Sequence, residues 1–296
     1  MATEGATQPT VPQAPQPTVP QADRRTARGA RFLIVARFEL MRQLRRRRLL
    51  ILLIITAIFL VLLIVVIQVF RTASADSYSY ASSFGGFVPT LAALAATFFG
   101  ADALVGEFEH RTGYLLFPQP VTRTSIFLGK LVAGFSLTAV TLAVYYGVVA
   151  TATAIVTRGL PIEIAYSFLL AVLYSTAALG VAFVLSSTLK GTTSASVMTF
   201  AVLFLMLAIV TAIFSVADLR PDGNLAFAGG TISNILSGPY PQAYPGDTEF
   251  PGGPGPGGRF RVYSPAVPLS ILVMAIWAAV GFGLAWALYR RKEMKG

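Results

Sequence analysis

Residues 49–70, LLILLIITAIFLVLLIVVIQVF, run for 22 positions without a charged side chain. A helix of that length reaches about 33 Å, enough to cross a hydrocarbon layer of roughly 30 Å. Within a bilayer the backbone has to satisfy its own N–H and C=O groups, so such a run is confined to a helix. Five further runs, near 84–105, 128–156, 164–187, 193–216 and 266–289, meet the same requirement. The pattern predicts an all-α integral membrane protein with six transmembrane helices. Composition agrees, because a chain that is 55% hydrophobic and 12% charged has too little polar surface to cover a soluble globule of 296 residues.

The spans differ in kind. The second carries Gly85, Gly86, Pro89 and Asp102. A charge at a helix centre costs about 2.5–3.5 kcal/mol on insertion scales, and Asp102 sits near the end, where that cost falls. The third starts beside Lys130, whose side chain is expected to snorkel to the headgroups, and it is expected to be the longest helix.

Orientation follows from the distribution of Lys and Arg. With six spans both termini lie on one side, and that side collects 18 of the 23 basic residues, including ten Arg before residue 49. The other side receives Arg71, Arg158, Arg220, Arg259 and Arg261. Both termini and the connection at 106–124 are therefore expected in the cytoplasm. The formal charge of +10 reads as topology and contact with anionic lipid, not as a nucleic-acid signature.

Ahead of the first span, residues 1–27 form a Pro- and Gln-rich arm in which QPTVPQA occurs at 8–14 and again at 16–22, a composition that cannot bury a core. Residues 28–48 follow. There Phe32, Val35, Phe38, Met41 and Leu44 recur at near-helical spacing among Arg31, Arg37, Arg42 and Arg45 to Arg48, which predicts an interfacial elbow helix. The six-helix domain then occupies 49–292. Its long external connection, 217–265, opens with LAFAGGTISNIL at 225–236, apolar enough to lie on or dip into the outer leaflet as short helices. The second half, with FPGGPGPGGRF at 250–260, reads as mobile.

The chemistry is largely exclusion. The chain has no Cys and a single His, His110, so no thiolate metal site or Cys nucleophile is available. It contains no GxxxxGK[ST], no HExxH and no GxSxG, so neither a phosphate-binding loop nor a zinc or serine hydrolase is indicated. No catalytic residue and no metal ligand is assigned. Spans one, four, five and six carry no charge, which disfavours an ion-coupled carrier built on buried relays.

What remains is residues 106–130, GEFEHRTGYLLFPQPVTRTSIFLGK, a charged, Pro-punctuated loop between the second and third spans. Glu107, Glu109, His110 and Arg111 can make charge-assisted contacts with a partner protein. Tyr114, Leu115, Leu116 and Phe117 form a short apolar stretch suited to a groove, and Pro118 and Pro120 end it.

Glu107 and Glu109, Thr112, Leu115 and Leu116, Pro120-Val121-Thr122-Arg123, then Gly129-Lys130 resemble the loop of membrane subunits of type-2 ABC transporters. One departure is Arg111 in the place where that family usually has Gly before the Thr. The resemblance extends over about residues 28–292 and includes the elbow, the six spans and the long fifth-to-sixth connection. It implies a non-catalytic permease subunit, an exporter in a prokaryotic plasma membrane. A second permease copy and a separate ABC ATPase subunit that binds ATP and Mg are implied as partners. It further implies ATPase coupling through Glu107, Phe108, Glu109, His110, Arg111, Thr112, Tyr114, Leu115, Leu116, Pro120 and Arg123, and a substrate pathway near Phe98, Phe99, Thr199, Phe200 and Phe204. An ATP-independent channel or carrier and a membrane scaffold stay open as alternatives.

Overall fold

The computed structural model describes residues 34–45, 47–70, 76–106, 123–251 and 259–291. Six helical segments are long and apolar enough to cross a membrane. The first is Arg48–Phe70 and the third, Arg123–Thr157, is the longest at 35 residues, as its sequence suggests. The fourth and sixth are Glu163–Thr188 and Val267–Arg291. Residues 34–45 are also helical.

The second span begins earlier than its hydropathy indicates and is built from two helices, Ser77–Gly85 and Val88–Gly100. Asp76 caps the first by accepting the Ser79 N–H at 3.1 Å, and Pro89 sits in the opening turn of the second, where its missing N–H leaves no gap. The SYSY stretch is too polar to register as a span, yet Tyr80, Ala81 and Phe84 are buried.

The fourth span is the hub, packed against the sixth, the second and the third. Small residues make this possible: a Cβ on Gly281 would stand 2.9 Å from the Gly180 backbone, and one on Gly100 would stand 2.8 Å from the Ala182 Cβ. The small-residue stretches at 92–101 and 175–182 thus bring helices together within one chain. By contrast the first and fifth spans are largely exposed.

The fifth span is helical over Thr192–Phe200 and Leu207–Val216 with a π-helical stretch, Ala201–Met206, between. Asp218, in the left-handed region with φ 56°, ends it, and the Leu219 N–H reaches back to the Phe214 carbonyl at 2.9 Å.

In the external connection the expected short helices are present as Leu225–Gly229 and Thr231–Asn234. They pack into the bundle. Asn224 caps the first and also donates to the Leu207 carbonyl, Ser167 Oγ donates to the Ile232 carbonyl, and the Thr231 and Ser270 hydroxyls meet at 2.7 Å. Where the sequence reads as a mobile second half, the described residues form an antiparallel pair, β1 Thr248–Pro251 with β2 Arg259–Val262. Glu249 faces Arg261 across it, and Arg261 and the Tyr263 hydroxyl both reach the Asp218 carboxylate.

Candidate functional site

Residues 107–122 lie outside the described residues, and with them the expected coupling positions Glu107, Phe108, Glu109, His110, Arg111, Thr112, Tyr114, Leu115, Leu116 and Pro120. The structure gives the frame that holds this loop. Its near foot is a tight turn at 101–106 in which Ala101, Ala103, Leu104 and Val105 are buried. The Ser186 hydroxyl, on the fourth span, accepts the Leu104 and Val105 N–H groups at 2.9 and 3.1 Å. Two amides that leave their helix are thereby satisfied. At the far foot Arg123 opens the third span and donates to the Arg290 carbonyl at 3.4 Å. Both feet therefore sit at the end of the body where the first span begins and the sixth ends.

Beneath the feet lies a polar cluster. The helix that ends at Gly100 leaves its last carbonyls without intrahelical donors and carries the negative end of the helix dipole. Arg48 donates to the Phe98 carbonyl at 3.2 Å and Gln43 to the Phe99 carbonyl at 3.5 Å. Arg48 also meets the Asp102 carboxylate at 2.6 Å. On the third span, Lys130 Nζ lies 3.7 Å from Glu39, whose other oxygen holds Arg42 at 2.6 Å. Helix 34–45 approaches so closely that a Cβ on Gly129 would stand 2.6 Å from Val35 Cγ1.

This corrects one expectation. Lys130 is 2% exposed and turns inward to Glu39 instead of outward to headgroups. Helix 34–45 keeps its apolar stripe, with Phe38, Met41 and Leu44 exposed, while its buried positions are Ala36, Glu39 and Gln43. Sequence reasoning missed Glu39. The available signal was a lone acid among arginines, at helical spacing from Arg42 and Gln43.

The expected pathway residues scatter. Phe99 is fully buried and Phe98 half-buried; Thr199 is buried with its hydroxyl on the Ala195 carbonyl. Phe200 stacks on Phe204, 5.1 Å between ring centroids, and Phe204 is exposed. An apolar groove of about 300 Å³ runs between the fourth, fifth and sixth spans past Val181, Val202 and Trp277. Among the described residues no cluster of His, Asp or Glu is arranged to hold a metal ion.

A family model described as "ABC-2 family transporter protein" matches residues 66–287, well over half of the chain. No curated protein matches.

Proposed function

We propose a role that proceeds from one premise: this chain belongs to the ABC-2 family of transporter proteins. It is a multi-pass membrane permease. In our reading it is the non-catalytic subunit of an exporter. A separate ATPase binds ATP and Mg, grips the 106–124 loop, and moves the permease. Two copies pair in a prokaryotic plasma membrane with both termini in the cytoplasm.

The observation that carries this reading is the mounting of the loop. Its feet at Gly106 and Arg123 rise from one end of the bundle, the near foot pinned to the fourth span through Ser186 and the far foot to the sixth through Arg290. A force applied between the feet passes directly into the central helix. Glu107, Glu109 and Arg123 supply charge for the partner, and Tyr114, Leu115 and Leu116 supply apolar surface.

The test is gentle detergent extraction of the tagged protein from its native membrane, with mass spectrometry of what stays bound. A stoichiometric ATPase with a phosphate-binding loop is the expected result, and Glu107→Ala with Arg123→Ala should lower the ATP hydrolysis of that complex while insertion is kept. A stable chain with no ATPase, giving ion flux alone in liposomes, would replace the reading with a channel. Loss of function on deleting residues 1–27 alone would replace it with a scaffold.

A further inference from the structure

We infer that Glu39 is a positioning residue for the loop: paired with Lys130, it clamps helix 34–45 to the third span beside the far foot, so that helix and foot move as one unit. The inference rests on the reading of that loop as the place where a partner's force enters.

Three observations carry it. First, Glu39, Gln43 and Lys130 are each under 5% exposed. Removing two charges from water costs about as much as their attraction returns, and apolar residues of the same volume often serve stability better. A buried pair at this position is therefore better explained by specified geometry than by added stability.

Second, the contacts divide between the feet. Gln43 and Arg48 hold the second span at Phe98, Phe99 and Asp102, whereas Glu39 and Val35 hold the third at Lys130 and Gly129. Arg48 belongs to the first span, so helix 34–45 reaches the near foot through Gln43 and the far foot through Glu39, its charged link to that side.

Third, the opposite face of helix 34–45 presents Ile34, Phe38, Met41 and Leu44 to the surroundings, all exposed. Among the described residues the helix is thus attached through the face that carries Val35, Ala36, Glu39 and Gln43, with Glu39 Oε1 on Arg42 and Oε2 toward Lys130.

The chain has no Cys, so two introduced labels are unambiguous. Nitroxides at Leu44→Cys and Leu128→Cys, both exposed positions, report the distance between the helix and the third-span foot by pulsed electron resonance in the complex captured from its membrane. The native background should give one narrow distance, with and without a non-hydrolysable ATP analogue. Glu39→Gln should broaden it and lower ATP turnover of the captured complex by about two- to thirtyfold, the range a residue in a coupling network commands, with the amount of bound ATPase unchanged. The charge exchange Glu39→Lys with Lys130→Glu should restore the narrow distance. Should Glu39→Gln not reach the membrane, Lys130→Met in its place gives the same readout. An unchanged distance and turnover in the single variant, or a charge exchange that leaves the distance as broad as the single variant does, overturns the clamp. If the native protein captures no ATPase, the coupling reading fails by itself, and the label distance alone still decides the clamp.

Discussion

At the scale of single residues, the crossing of the fourth and sixth spans makes a one-sided demand. A methyl group on Gly281 would meet Gly180 backbone atoms at 2.9 Å, which cannot swing aside, whereas one on Gly180 would find its nearest neighbour at 3.4 Å, ordinary contact. Gly281→Ala should therefore cost about 1–3 kcal/mol, as overpacking does, and Gly180→Ala much less. Gly147→Ala is the control, because nothing lies within 4 Å of its added methyl group and the helix gains propensity. Thermal unfolding of the three purified variants should rank them in that order. Ser186 makes a different demand, since its single oxygen serves two buried amides at the near foot. Ser186→Ala leaves both without a side-chain acceptor and should cost about 1–3 kcal/mol, read as a lower unfolding midpoint. Neither Gly281 nor Ser186 stands out in the sequence. A glycine or serine in an apolar run acquires meaning only from the helix laid across it.

At the scale of elements, the six spans were legible because hydropathy acts on one helix at a time. Their boundaries fell within a few residues wherever an apolar run ends at a charge, as at Arg48 and Arg291. The second span was not legible at its start, because Ser77–Gly85 owes its place to Tyr80 and Phe84 packing inward rather than to overall apolarity. The π-helical stretch and the inward turn of Lys130 were hidden too, since each is decided by neighbours distant in sequence. The candidate loop was legible as a motif, and the Glu39–Lys130 pair beside its far foot was not. The strand pair was hidden in the sequence by the Pro- and Gly-rich composition of 250–260, although Glu249, Arg261 and Tyr263 flank that stretch. Its anchor yields a pH prediction. The Tyr263 phenol donates to Asp218 at 2.6 Å, and this bond, followed by the smaller effect of burial, raises its pKa above the ordinary 10.0. The protonated form is the one favoured by folding, so the contribution is complete below pH 10 and fades as pH rises through the folded value. Difference absorbance between the native protein and Tyr263→Phe should show the missing tyrosine ionising above the free phenol, and native hairpin cleavage by an alkali-tolerant protease should accelerate over the same interval.

At the scale of the whole molecule, charge and architecture point the same way. Among the described residues the bundle gathers Arg48, Asp102, Arg123 and Arg290 at one end and Asp76, Arg220, Asp247 and Arg261 at the other, so three of these five arginines share the end that carries the loop's feet. The face with the loop also holds Glu39, Asp102 and Lys130 in internal pairs, while Arg37, Arg45 and Arg47 are exposed, the residue type that anionic lipid attracts. The proposed reading puts this face in the cytoplasm, as the positive-inside rule expects of the basic side. The absence of Cys makes the orientation directly measurable. Thr124→Cys lies exposed at the start of the third-span helix beside the far foot, and Thr248→Cys lies exposed on β1. In intact cells a membrane-impermeant maleimide should label position 248 and reach position 124 only after permeabilisation. The opposite pattern would turn the molecule over and place the loop where no cytoplasmic ATPase could grip it, so this labelling decides whether force can enter at residues 106–124.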